Sequence, residues 1–153
     1  MAVPEKLTDT LETLELVPDR GERIQLLIDI AKRFAEVPPR IARRPFAAEH
    51  RVPACESEAY VFGEARPDGS LDYYFAVENP QGVSAKAMAV LLGEALSGAP
   101  PEQVAEVPQD VVYQVFGHEL SMGKSMGLMG MVGMVAAMAK QQAAATGDQG
   151  AAG

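Results

Sequence analysis

The strongest constraint on the fold is a change of hydrophobic period in the middle of the chain. Over residues 71–78, apolar and polar side chains alternate, which is the period of a β-strand with one buried face. A second β-rich run lies at residues 57–63, and residues 66–70 between them supply proline, aspartate and glycine in the order of a turn. The pattern predicts a β-hairpin, one face of which carries Leu71, Tyr73, Phe75 and Val77.

On both sides of this hairpin the apolar residues recur at helical spacing. The spacing predicts four main helices, over residues 4–16, 20–35, 84–96 and from 123 or 124 to about 143. Asp19 and Glu22 have the spacing of a capping box at the start of the second helix. Prolines at 100–101 and 108 each stand where a short helix can begin. A hairpin set among helices indicates an α+β fold.

The length allows one domain. A chain of 153 residues with 48% apolar and 22% charged residues can bury a single core and has the composition of an ordinary globular protein. We place this domain at residues 1–143. Residues 144–153 are small and polar with nothing to bury, and they are predicted to be a disordered tail.

The net charge argues against nucleic acid as a partner. At −8, with a pI near 4.7, the chain lacks on average the basic surface that phosphate backbones require. The exception is a local basic stretch formed by Arg40, Arg43, Arg44 and Arg51. Such a stretch beside two prolines is typical of a solvated or protein-facing patch.

Neither export nor a membrane span is expected from the sequence. The first residues are polar and acidic rather than basic and then apolar, and a single cysteine cannot form an internal disulfide. The most apolar run, residues 126–139, has about 14 residues, whereas a membrane span needs about 20. We expect a cytoplasmic protein without a membrane partner.

The last predicted helix is rich in methionine and glycine. Gly127, Gly130 and Gly133 recur every third residue among five methionines. Thioethers can bind soft metals or line an adaptable partner groove. Because no cysteine or histidine lies among them, we favour a core helix whose glycines allow close backbone approach.

The only cysteine, Cys55, has three chemical roles open to it besides that of a buried apolar filler. A metal site needs several ligands, and only His50 and His118 are available to join it. A hydrolytic nucleophile needs a base within reach, and the sequence around Cys55 has no nucleophile-elbow pattern. A sulfur carrier needs only an accessible thiol on a loop, and Pro53 just before the first strand fits such a loop.

Four segments in order resemble the SufE family of sulfur acceptors. The family's acceptor loop, V-x-G-C-x-S-x-V-[WY], is matched within residues 52–60 at Val52, Cys55, Ser57 and Tyr60. The helix through residues 24–28, the helix and turn over residues 84–102, and residues 120–128 are similar to further family segments. Ala54 stands where the family has glycine, and Lys124 stands where it has arginine.

The resemblance implies an α+β fold like that of SufE and NifU proteins, with about three antiparallel strands backed by helices. The third strand would come from residues 47–52. Cluster scaffolds of the NifU and IscU type have a similar fold, but they use three cysteines, and this chain has one.

The resemblance also implies a function, which is to accept sulfane sulfur on Cys55 from a SufS-type cysteine desulfurase and to pass it to a SufB-type cluster scaffold. Such a protein is a persulfide carrier and desulfurase activator rather than a stand-alone enzyme, and it needs no cofactor of its own. Arg51 and Lys124 are candidates for electrostatic support or partner contact, whereas Glu56 and Glu58 disfavour a negative charge on the thiol. The alternative is a non-catalytic interaction module with a buried structural Cys55.

Overall fold

Two helices come first in the described part of the chain. The computed structural model describes residues 2–152, in which α1 spans Glu5–Glu15 and α2 spans Arg20–Ala31. The carboxylate of Asp19 accepts a hydrogen bond from the Glu22 amide at 2.9 Å, so the predicted N-terminal cap of α2 is confirmed.

The predicted hairpin is present. Strands β1, Ala59–Ala65, and β2, Leu71–Val77, pair antiparallel with Val61 opposite Phe75. Gly69 has a φ of 90° in the turn, which glycine adopts without steric cost. The fold is therefore α+β, as predicted.

The expected third strand is absent from the part of the chain that the structure describes, and the sheet there has two strands. Residues 48–50 form a 3-10 turn instead, followed by a single bridge between Arg51 and Tyr60. The imidazole Nδ1 of His50 lies 3.1 Å from the Val61 carbonyl oxygen and occupies that edge of β1. Pro53 has no N–H to continue the pairing. The prediction of three strands was wrong for these reasons.

Four helices follow the hairpin. They are α3, Val83–Leu96; α4, Pro101–Val104; α5, Val111–Phe116; and α6, Met122–Ala152. Helix α3 is central, because it contacts α1, α2 and β2 and is buried on most of its circumference. Helix α6 lies against β1, α3 and α4, which brings its first turns to the end of the hairpin where Cys55 lies.

Much of the arginine-rich stretch is bound to the outside of the hairpin. Arg40 pairs with Glu64 at 2.5 Å, and Arg44 pairs with both Glu36 and Glu78. The hydrogen bonds of Arg44 to Glu36 and then to Glu78 raise the pKa of its guanidinium, which stays charged. The two arginines thus hold their own segment against the sheet, so they are engaged within the domain.

Helix α6 is longer than predicted. It continues past residue 143 to Ala152, so residues 144–152 are helical where a disordered tail was expected, and Gly153 lies outside the described residues. The Gln142 side-chain amide donates a hydrogen bond to the Gly69 carbonyl at 3.1 Å, and the Thr146 side chain contacts the same turn. These contacts with the hairpin turn, together with three consecutive alanines, favour the added helical turns.

The segment from Met122 to Gly147 is also long and apolar enough, by length and composition, to cross a membrane, with a mean hydropathy of 1.3 over its most apolar window. The apolar segment that passes this test is therefore longer than the 14-residue run on which the expectation of no membrane span was based. A core helix passes the same test, and α6 buries one side in this domain through Leu128, Met131, Val132, Val135 and Ala139.

Candidate functional site

Cys55 lies in a short closed loop between the single bridge and β1. The Val52 amide donates a hydrogen bond to the Ala59 carbonyl at 2.9 Å and closes the base of the loop. The Glu58 amide donates to the Cys55 carbonyl at 3.1 Å and forms a turn inside it. The loop turns the thiol inward, and Cys55 is only 9% exposed.

Glycines of α6 provide the surface on which this loop rests. A Cβ at Gly127 would lie 3.0 Å from the Cα and 3.3 Å from the Sγ of Cys55. A Cβ at Gly130 would lie 3.0 Å from Val52 Cγ1 and 3.5 Å from the Pro53 carbonyl oxygen. The loop backbone therefore comes as close to α6 as it does only because these two positions lack side chains.

Gly123 extends this row of glycines, here called the glycine track, to the first turn of α6. A Cβ at this position would collide with the Glu56 carboxylate, whose Cδ would be 3.3 Å away. Gly123, Gly127 and Gly130 are spaced by four and three residues, so they share one face of the helix. Gly133 falls outside this track and faces Gln109 instead. The expectation of close backbone approach is thus confirmed for two of the three glycines in the predicted repeat.

Two residues of the loop have left-handed backbone conformations. Ala54 has a φ of 57° and Glu58 a φ of 50°. For residues other than glycine this region costs about 1–2 kcal/mol per residue. The turn around Cys55 thus needs a positive φ at the position immediately before the thiol, where this chain carries alanine.

Ala54→Gly is therefore expected to raise the free energy of unfolding by up to about 1 kcal/mol, because glycine adopts positive φ without a Cβ clash. Chemical denaturation measures the change. Ala48→Gly is the control, because Ala48 is also exposed but is not among the positive-φ residues, and it should lose stability. A lower free energy of unfolding for Ala54→Gly than for the wild type would contradict the strain at this position.

Two cavities meet at Cys55. One of about 480 Å³ is an open depression on the side of Arg51, and it is lined by Ala48, Arg51, Val52, Pro53, Ala54, Cys55 and Glu56. The other, of about 270 Å³, lies between Cys55 and the first turns of α3 and α6. Lys124 lines this second cavity together with Ser57, Asn79 and Ser84.

The second cavity is bordered by charges of both signs, because the Glu56 carboxylate lines it together with the Lys124 ammonium. The N-termini of α3 and α6 both open onto it, and each carries the partial positive charge of its helix dipole. The exposed ammonium of Lys124 adds a full charge at the rim. The two helix ends and Lys124 would favour an anionic sulfur species on Cys55, whereas the Glu56 carboxylate would oppose it.

The structure thus places both predicted supporting residues around Cys55, on opposite sides. Arg51 lines the open depression and Lys124 lines the cavity between the helices. Lys124 also borders a larger groove of about 740 Å³ that runs along α2 and the segment before α6. The sequence analysis did not single out Gly123, although its spacing from Gly127 and Gly130 was visible, and it treated Glu56 only as a charge that disfavours the thiolate.

Neither histidine is placed to act on Cys55 as a base or to share a metal ion with it. The His50 ring is bound to the Val61 carbonyl and lies 4.6 Å from the Phe62 ring, measured between centroids. The His118 ring stacks on Tyr113 at 4.6 Å. Neither residue lines either cavity at the thiol. Within residues 2–152 no group of three or more histidine, cysteine or acidic side chains is arranged to hold a metal ion.

Comparison with known protein families identifies the family of this chain. The model of the SufE family, described as an Fe-S metabolism associated domain, matches residues 8–139. The chain belongs to the SufE family. The match includes the acceptor loop, the central helix and most of α6. The protein is thereby associated with iron-sulfur metabolism.

The fold of this SufE domain has a solved counterpart. The solution structure of a hypothetical protein from Thermus thermophilus superposes with a TM-score of 0.72 at 27% identity, covering 92% of this chain and 97% of that one. Among proteins of curated function, no match was found.

Proposed function

We propose that the protein accepts sulfane sulfur as a Cys55 persulfide from a SufS-type cysteine desulfurase and delivers it to a SufB-type cluster scaffold. The observation that carries the proposal is the placement of the chain's only thiol. Cys55 lies on a glycine-seated loop and faces a cavity of about 270 Å³ bordered by two helix N-termini.

The chemistry is a thiol exchange that balances without an external oxidant. The Cys55 thiolate attacks the outer sulfur of a cysteine persulfide on the donor. The sulfur-sulfur bond of the donor breaks, its cysteine leaves as a thiolate, and a new bond forms between that sulfur and Cys55 Sγ. The electron count is unchanged, because the sulfane sulfur only moves from one thiol to another.

The surroundings suit a carrier in transit. The cavity has room for one further sulfur atom, and the positive helix ends favour the anionic persulfide. The chain has no second cysteine that could convert the persulfide into an internal disulfide and release the sulfur. Chemistry that extracts sulfur from cysteine belongs to the desulfurase and its cofactor, so this chain supplies only the acceptor.

The loop must leave α6 for the transfer. At 9% exposure, Cys55 cannot meet a persulfide on another protein while the loop is seated. Because Pro53, Ala54, Glu56 and Glu58 are exposed, the loop itself can be reached by a partner.

The second candidate is an interaction module in which Cys55 only fills space, and its burial is consistent with that role. The arginine-rich stretch gives this candidate little support, because Arg40 and Arg44 are already paired with carboxylates of the same domain. A filler role also leaves the cavity beside the thiol without a purpose.

Desulfurase turnover separates the two candidates. With a SufS-type desulfurase and cysteine, the rate of alanine release should rise severalfold on adding the protein, because an acceptor thiol clears the persulfide that blocks the next turnover. We propose that this exchange takes place in the cytoplasm, where thiols stay reduced. An unchanged rate with the cognate desulfurase would contradict the carrier and favour the interaction module.

A further inference from the structure

Glu56, the residue after the acceptor cysteine, lies over the start of α6. Its carboxylate occupies the space that a side chain at Gly123, the second residue of the helix, would take. The Ser121 hydroxyl accepts a hydrogen bond from the Lys124 amide at 3.3 Å and caps the helix. The Ser125 amide makes the first helical bond, to the Ser121 carbonyl at 2.9 Å.

The charge of Glu56 matches its location. The amides of the first helical turn have no acceptors within the helix, and the N-terminus of α6 is partially positive. A carboxylate placed against the first turn is held there electrostatically. The contact distinguishes this glutamate from its neighbour, because the Glu56 carboxylate lies at Gly123, whereas Glu58 is not among the residues that line the cavity between α3 and α6.

The same contact controls access to the thiol. Glu56 and Cys55 are adjacent, and they rest on Gly123 and Gly127 of one helix face. When Glu56 leaves the first turn, the loop loses its charged contact with α6, and Cys55 loses part of its cover. Holding Glu56 in place therefore keeps the Cys55 thiol covered.

We propose that Glu56 is a positioning residue that latches the acceptor loop onto α6 and sets the fraction of molecules with Cys55 exposed. Its importance for sulfur transfer rests on the proposed function, but the latch itself is a property of the isolated protein. The presence of a negative charge beside a thiol that must ionise is then explained by what the charge does to the loop.

The test is the rate at which iodoacetamide, an uncharged reagent, alkylates Cys55 in the full chain. Rates are compared at the plateau of each pH profile, so that every variant is measured with its thiol fully ionised. Glu56→Gln keeps the shape and removes the charge. Glu58→Gln removes a charge from the same loop without touching the latch, and Gly123→Ala places a methyl group where the Glu56 carboxylate lies.

The plateau rate of Glu56→Gln should rise about twofold to fivefold, which corresponds to the usual strength of a surface charge at a helix N-terminus. Gly123→Ala should give at least the same rise, and Glu58→Gln should stay close to the wild type. At about 1 M salt the wild type should approach Glu56→Gln, because screening there acts within about 3 Å.

A wild-type plateau rate for Glu56→Gln, an acceleration in Gly123→Ala alone, or an equal rise in Glu58→Gln would overturn the latch. Because no desulfurase enters this experiment, its failure would leave the sulfur-acceptor proposal standing. Conversely, if the latch is confirmed but the protein does not stimulate a desulfurase, only the sulfur-acceptor proposal fails.

Discussion

Cys55→Ser is expected to reduce desulfurase stimulation to the rate of the desulfurase alone while leaving the fold intact. A hydroxyl has nearly the shape of the thiol but cannot take up sulfane sulfur by thiol exchange. The site beside α6 keeps its glycine track, since no side chain of the track changes. The buried hydroxyl should cost about 1–2 kcal/mol of the roughly 5–15 kcal/mol that stabilises a domain of this size.

The measurement pairs alanine release with thermal unfolding for the wild type and the variant. Arg43→Ser is the control, because Arg43 is exposed and lines neither cavity at the thiol, so its stimulation should equal that of the wild type. Persisting stimulation by folded Cys55→Ser would show that the protein activates its partner by contact alone.

Gly127→Val is expected to unseat the acceptor loop. The new Cβ would lie 3.0 Å from the Cys55 Cα, a backbone atom, and the branched side chain would add two methyl groups in the same space. Overpacking of this kind costs about 1–3 kcal/mol. Because the neighbouring loop is largely exposed, we expect it to move away from the helix and expose the thiol.

Alkylation of Cys55 in Gly127→Val should therefore be at least about tenfold faster than in the wild type, which corresponds to about 1.4 kcal/mol of loop opening. Gly147→Val is the matched control in the same helix, because a Cβ at Gly147 meets no neighbour within 4 Å. Its reactivity and stability should stay close to those of the wild type. Wild-type values of both quantities for Gly127→Val would contradict the seating of the loop on α6.

The parts of the fold that depend on local sequence were predictable. The hairpin followed from alternation around a Pro-Asp-Gly turn, and the start of α2 followed from Asp19, whose carboxylate does bind the Glu22 amide. The absence of the third strand could not be predicted. Its place beside β1 is taken by the His50 imidazole, which is bound to the carbonyl of Val61, 11 residues away. The added length of α6 likewise depends on Gln142 reaching Gly69 across 73 residues.

Only part of the candidate site could be inferred from the sequence, and its geometry could not. Cys55 followed from being the only cysteine, Arg51 from its charge four residues before it, and Lys124 from standing where the similar family segment has arginine. The sequence could not show that Ala54 takes a positive φ, since alanine seldom does. It also could not show that Glu56 lies against α6, because that contact joins residues far apart in the chain.

Whether Cys55 carries sulfur can be determined by intact mass spectrometry after incubation with a cysteine desulfurase and cysteine. If Cys55 is the carrier, we expect an adduct of about 32 Da, one sulfur atom, which maps to Cys55, disappears on treatment with a reducing thiol and is absent from Cys55→Ser. No adduct on the wild-type protein, in the presence of a cognate desulfurase that turns over cysteine, would contradict it.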